Sequence, residues 1–197
     1  MNLVSIRVAV CAAVGYFGVS QKAIMVKITY AAATSLDGYI ATEDGGVDWL
    51  NPFQSEQDPG FSDFYGSVQA LLMGSHTYEF ALKAATWPSP DKRTWVFSTR
   101  HLRIMDPSIC LTTESPRAFM RTLQGHKVTH AWLMGGGALA SSFRAEGLIS
   151  HYVVSIMPVI LGRGIPLFAA SNNQTSLRMI ETKALKNGVV QIRYGNG

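Results

Sequence analysis

The stretch His130–Glu146, HAWLMGGGALASSFRAE, constrains the fold of this chain more than any other. Ala131, Trp132, Leu133 and Met134 form an apolar run short enough for a buried strand. Ala138–Glu146 then reads as a helix, with Leu139 and Phe143 four apart on one face. Between them stand Gly135, Gly136 and Gly137. Consecutive glycines lose much backbone entropy on ordering, so such a turn implies that something approaches the backbone closely. A strand running through glycines into a helix N-terminus presents unpaired N–H groups and the positive end of the helix dipole, a seat for phosphate. The alternative is a tight strand-to-helix turn that binds nothing. The pattern is neither GxGxxG nor a P-loop, which argues against a nucleoside-triphosphate site.

The rest of the chain repeats this grammar. Val26, Ile28, Tyr30 and Ala32 alternate with polar Lys27 and Thr29, a strand entering a core. Ser35–Gly38 breaks it, leaving Asp37 just past a strand end, where its carboxylate either faces a pocket or makes an Asx-turn before Gly38. Trp49, further along the same loop, could cover a planar ligand or simply pack. Gln69–Met73 is a second apolar strand that runs through Gly74 into Ser75, His76 and Thr77, with Ser75 as a helix cap and Tyr78 and Leu82 on the inner face. Thr94–Phe97 is a third strand, ending in Ser98, Thr99 and Arg100. Two hydroxyls and a guanidinium at a strand end suit a phosphate monoester, or else form an exposed turn with a solvated arginine.

Cys110–Thr112 ends another strand. Ser115 and Pro116 give an N-cap and first-turn proline for a helix through Gln124, with Phe119, Met120 and Leu123 on its core face. Tyr152–Leu161 reads as a long apolar strand. Gly162 and Gly164 beyond it either wall a pocket or make a wide turn. Asn187-Gly188 joins the last two strands, Leu177–Lys186 and Val189–Tyr194, into a hairpin. Strands alternating with helices, then closed by antiparallel pairing, predict a single α/β domain with a mixed sheet flanked by helices.

Composition excludes several classes. The charge of +4 over 197 residues is modest and the basic residues are scattered, so no nucleic-acid partner is expected. Cys11 and Cys110 make no metal or disulfide pattern, and the five histidines show no zinc spacing, so no metal site is expected. The apolar run Val8–Val19 is too short to span a bilayer and lacks a cleavage site at Gln21 and Lys22, while Met25 stands directly before a strand. Residues 1–24 are therefore expected to lie outside a domain covering residues 25–197. The protein is expected to be cytoplasmic, without a membrane association.

VKITYAAATSLDGYIA, LLMGSHTYE, VFSTR, WLMGGGALASSF and PVILGRGIPLF occur in the order found in the reductase domain of bacterial riboflavin biosynthesis proteins. Over residues 25–194 the chain resembles that family and its stand-alone relatives in the dihydrofolate-reductase-like superfamily. The resemblance implies a mostly parallel eight-stranded sheet closed by a C-terminal hairpin, an NADPH cofactor, and homodimers. It implies that Gly74, Ser75, His76 and Thr77 meet the pyrophosphate, and that Gly135, Gly136, Gly137 and Ala138 cradle the phosphates from the other side. Ser98, Thr99 and Arg100 would hold the adenosine 2′-phosphate. Ser75 departs from the arginine many relatives carry there, which leaves NADP recognition more dependent on Arg100.

The implied reaction is hydride transfer to a C=N or C=O bond of a small heterocycle, pteridine- or pyrimidine-like. Asp37, Trp49, Gly162 and Gly164 would form the substrate pocket. Asp37 would be the proton donor if an apolar pocket raises its pKa, or would only orient the substrate. The alternative is an NADP-binding protein of the same fold without efficient catalysis, serving as a sensor or a structural element.

Overall fold

Strand β1 (Lys27–Thr34) runs through the middle of the protein, and Ile28, Thr29 and Tyr30 are all buried. Burial of successive residues means that both faces of the strand are covered. The computed structural model describes residues 25–53, 59–83 and 86–197, so the expected extension 1–24 lies outside the described residues. After β1 the chain continues through β2 (Tyr39–Ala41), a 3-10 turn (Asp48–Phe53), α1 (Pro59–Ser67), β3 (Ala70–Gly74), α2 (Ser75–Ala81), β4 (Arg93–Phe97) and β5 (Ile109–Thr112). It then forms α3 (Pro116–Gly125), β6 (His130–Gly135), α4 (Gly137–Ala145), β7 (His151–Ile156), β8 (Ile165–Pro166), β9 (Leu177–Ala184) and β10 (Val190–Asn196).

Eight of the strands form one sheet in the order β5-β4-β3-β6-β1-β7-β10-β9, and β2 pairs separately with β8. All pairs from β5 to β7 are parallel, while β7–β10 and β10–β9 are antiparallel. The fold is thus a single α/β domain with a mixed, mostly parallel sheet and a closing hairpin.

The helices divide between the two faces. From α3 and α4, Phe119, Leu123, Ala140 and Phe143 pack with Ile28, Tyr30, Leu72 and Leu133 on one face. From α1 and α2, Phe64 and Tyr78 pack with Leu71, Met73 and Val96 on the other. Burying a side chain such as Phe119 or Leu123 contributes about 1.5–3 kcal/mol. Helix α3 starts as its sequence predicts, with the Ser115 hydroxyl accepting from the Ala118 N–H at 3.4 Å and proline in the first turn.

Three local expectations need correction. Ser75 is the first residue of α2 and not its cap; Gly74 occupies the cap position and offers no side-chain hydrogen bond. The strand expected over Tyr152–Leu161 stops at Ile156. Pro158, which has no N–H to donate, follows, and the Val159 N–H turns back to the Met157 carbonyl at 2.8 Å. The hairpin tip is a three-residue loop, Lys186–Gly188: the Leu185 N–H bonds the Val189 carbonyl at 2.8 Å, and Gly188 alone takes positive φ, 84°. That is a turn with a glycine bulge and not the two-residue Asn-Gly turn.

Candidate active site

Parallel strands β3 and β6 are neighbours, yet the helices that follow them leave to opposite faces of the sheet. Open α/β sheets place ligands at such a switch point, outside the C-terminal strand ends. Gly74 and Gly136 meet here: a β-carbon on Gly74 would stand 3.8 Å from the Gly136 nitrogen, and one on Gly136 would stand 3.8 Å from the Thr77 hydroxyl. Gly74, Thr77, Gly135 and Gly136 are therefore one contiguous surface, joining the ends of two strands to the starts of two helices. Gly136 caps α4 without a side chain, so the N–H groups of Gly137, Ala138 and Leu139 have no intrahelical partner. Gly135 sits at φ 116°, a conformation that glycine alone adopts freely, and the Gly135–Gly136 peptide is cis.

The three consecutive glycines do different work. Gly136 has space around it, and φ there is an ordinary −72°. Gly137 is buried, and a β-carbon on it would fall 2.3 Å from the Pro166 carbonyl oxygen. The close approach expected at Gly137 is therefore made by the chain's own backbone. Gly164 answers in the same way: its β-carbon would lie 2.2 Å from the Ala41 carbonyl oxygen. Gly164 is a packing position at the start of the antiparallel pairing of β8 with β2.

Those contacts belong to a strap, residues 157–168, which crosses the C-terminal end of the sheet from the β1–β2 turn to the start of α4. The Leu36 N–H bonds the Val159 carbonyl at 2.7 Å, and the Leu167 N–H bonds the Gly38 carbonyl at 2.9 Å. From below, the buried Tyr30 hydroxyl donates to the Leu167 carbonyl at 2.9 Å, and burial pushes that phenol's pKa up.

Asp37 is fastened to the same strap. Its carboxylate accepts the Leu161 N–H at 3.1 Å and the Gly162 N–H at 2.7 Å. The side chain is exposed, and the Ser35 hydroxyl together with these two N–H groups holds its carboxyl below the usual carboxylate range, outweighing a desolvation effect of opposite sign. The expectation of an apolar pocket and a raised pKa is overturned, because each of these hydrogen bonds favours the ionised form. Asp37 and Gly162 are thus brought together. Trp49 has a buried indole N–H without a partner among the described residues, and its 3-10 turn is tied to the hairpin tip, where the Asn187 amide donates to the Phe53 carbonyl at 3.2 Å.

At the end of β4, next to β3, the Ser98 hydroxyl accepts the Arg100 N–H at 2.9 Å and so shapes the turn. Thr99 is exposed beside it. The Arg100 guanidinium donates to Glu79 of α2 at 2.8 Å, and that contact holds the Glu79 carboxyl below its ordinary pKa. His76 is exposed on the first turn of the same helix. Glu79 and the strap carbonyls were not foreseen. Glu79 lies one turn along α2 from Ser75, but only the β3–β4 pairing brings it to Arg100. A cavity of about 520 Å³ lies elsewhere, lined by Arg144, Asn173, Thr175 and Gly197, and shares none of these residues.

A mostly parallel sheet, helices on both faces, a switch point at the β3–β6 strand ends and a C-terminal hairpin define a dihydrofolate-reductase-like α/β protein. The resemblance is measurable: Enterococcus faecalis dihydrofolate reductase, solved with NADP(H), superposes with a TM-score of 0.61 over 88% of this chain and 98% of that one, at 12% identity. The chain belongs to the RibD C-terminal domain family, whose profile matches residues 26–191. It is 39% identical to the Bacillus subtilis protein YwjB, itself uncharacterized, over 82% of this chain and 93% of that protein. A Shewanella sp. PV-4 protein with a provisional riboflavin-biosynthesis name superposes with a TM-score of 0.79, at 26% identity, over 87% of this chain and 99% of that one. Among the described residues no helix is long and apolar enough to cross a membrane.

Proposed function

We propose that the protein is an NADPH-dependent reductase of a small heterocyclic substrate, pteridine- or pyrimidine-like. The observation that carries this reading is the uncapped start of α4 beside Gly74 at the switch point. N–H groups without an intrahelical partner, a helix dipole and a Gly136 on which a β-carbon would touch only the Thr77 hydroxyl fit a dinucleotide pyrophosphate. Gly74–Thr77 would face it from the α2 side, and Arg100 with Thr99 would take the 2′-phosphate. NADPH, when bound, supplies the hydride; the chain's own residues bind, orient and exclude water. Asp37, ionised and anchored to Leu161 and Gly162, suits an acceptor that orients a substrate N–H better than an acid that donates a proton. That same ionised state favours a second reading, cofactor binding without efficient turnover.

Thermal shift with NADPH, followed by a screen of imine, carbonyl and pterin substrates at the NADPH absorbance, tests both readings. Ligand at 100 times its Kd adds about 2.7 kcal/mol to stability, so absence of any shift would sink the proposal. Gly136→Ala is expected to weaken NADPH while leaving the apo melting temperature unchanged, because the new β-carbon meets nothing closer than 3.8 Å within the protein. An unaltered NADPH Kd in that variant would place the phosphates elsewhere.

We also propose that two copies pair through β9. All eight of its residues are exposed, Met179 and Ile180 among them, and it forms an edge of the sheet. Bare edges of this kind invite pairing, and a two-fold axis would satisfy both. Light scattering is expected to give a dimer at micromolar concentration, and a monomer there would refute the pairing.

A further inference from the structure

The Arg100 guanidinium, the one group assigned to the 2′-phosphate that carries a full positive charge, donates to the Glu79 carboxylate at 2.8 Å. We infer that Glu79 is a specificity-determining residue: by neutralising Arg100 it keeps the adenosine end of the site balanced between a ribose 2′-phosphate and a free 2′-hydroxyl. The inference rests on the cofactor reading above.

Several features point the same way. Position 75, the first residue of α2, is serine and brings no second cation to the site. Ser98 commits its hydroxyl to the Arg100 N–H, so it shapes the turn. What remains for a phosphate is the exposed Thr99 and one guanidinium with a carboxylate on it. Both side chains are partly exposed, 49% for Arg100 and 38% for Glu79, so the pair itself contributes little to stability and can rearrange.

Glu79 sits on α2, two residues beyond Thr77, which lines the crevice. A dianion gripped by the free edge of Arg100 therefore lies within a few ångströms of a carboxylate, and like charges at such separation disfavour one another even in a high dielectric. A ribose 2′-hydroxyl meets the opposite situation, because a carboxylate within reach accepts its hydrogen bond, as an acidic residue does in Rossmann dinucleotide sites. The same ion pair thus offers an arginine to NADPH and a glutamate to NADH.

The test measures dissociation constants of NADPH, NADH, adenosine 2′,5′-bisphosphate and AMP for the full chain and for Glu79→Gln. Removing one unit charge beside the phosphate is expected to raise the NADPH-over-NADH preference by about fivefold or more. The bisphosphate-over-AMP preference should rise in parallel. A structural role for Glu79 would shift all four ligands together and leave both ratios unchanged, and that result, or a fall in either ratio, overturns the inference. Glu79→Ala serves as a second variant, since it also removes the charge and predicts the same direction. If the unaltered protein binds neither dinucleotide, the cofactor reading fails first. If it binds them and the ratios do not move, only the role of Glu79 fails.

Discussion

Gly137→Ala is expected to lower the melting temperature of the ligand-free protein sharply. Its β-carbon would fall 2.3 Å from the Pro166 carbonyl oxygen and 3.3 Å from that of Leu167. Neither atom is the end of a flexible side chain, so relief requires moving the strap or the first turn of α4. Overpacking a closed site costs about 1–3 kcal/mol, and a backbone clash belongs at the upper end of that range. For a domain of this size each kcal/mol shifts the melting temperature by roughly 2–4 °C, so a drop on the order of 6–12 °C is expected. Gly136→Ala, one residue away, is its control. A thermal melt showing the two variants alike would mean that the strap does not seat on α4 in solution.

Arg100→Ala is expected to weaken NADPH far more than NADH. A charge-assisted contact to phosphate is worth about 1.5–3 kcal/mol, and the half-exposed, already paired guanidinium argues for the lower figure, roughly tenfold in Kd. NADH, which lacks the phosphate, should change by less than about twofold on the same electrostatic grounds. The measurement is a pair of titrations, and equal losses for the two cofactors would remove Arg100 from the 2′-phosphate site.

Much of the scaffold was legible in the residues. Alternation in Val26–Ala32, the short apolar runs before Gly74 and Gly135, and the Ser115-Pro116 helix start each report a local preference that the tertiary structure keeps. Local signals fail where a partner distant in sequence decides. Three glycines announce that something comes close, yet only the fold reveals that the Pro166 backbone crowds Gly137 while Gly136 has room for a β-carbon beside Thr77. Asp37 sits among apolar neighbours in sequence, and its exposure and its two N–H partners more than 120 residues away are invisible there. The apolar run after Tyr152 reads as one strand because hydropathy does not register the missing N–H of Pro158 or the turn at Val159. Arg100 was legible as a candidate phosphate ligand by residue type, but not as half of an ion pair.

The strap at residues 157–168 also bears on the order in which the molecule can be completed. Its partners, the β1–β2 turn and Tyr30, lie over a hundred residues earlier in the chain, whereas the strands from β1 to β7 need nothing beyond Ile156 to pair with one another. Contacts that span so much chain carry a closure entropy that is met only after the intervening segments have found their places. On a ribosome, the turn bearing Asp37 therefore emerges long before the piece that fastens it to the first turn of α4. The parallel framework from β1 to β7 can pair first, the strap then fastens the candidate-site end, and the β9–β10 hairpin, which emerges after the strap, completes the sheet.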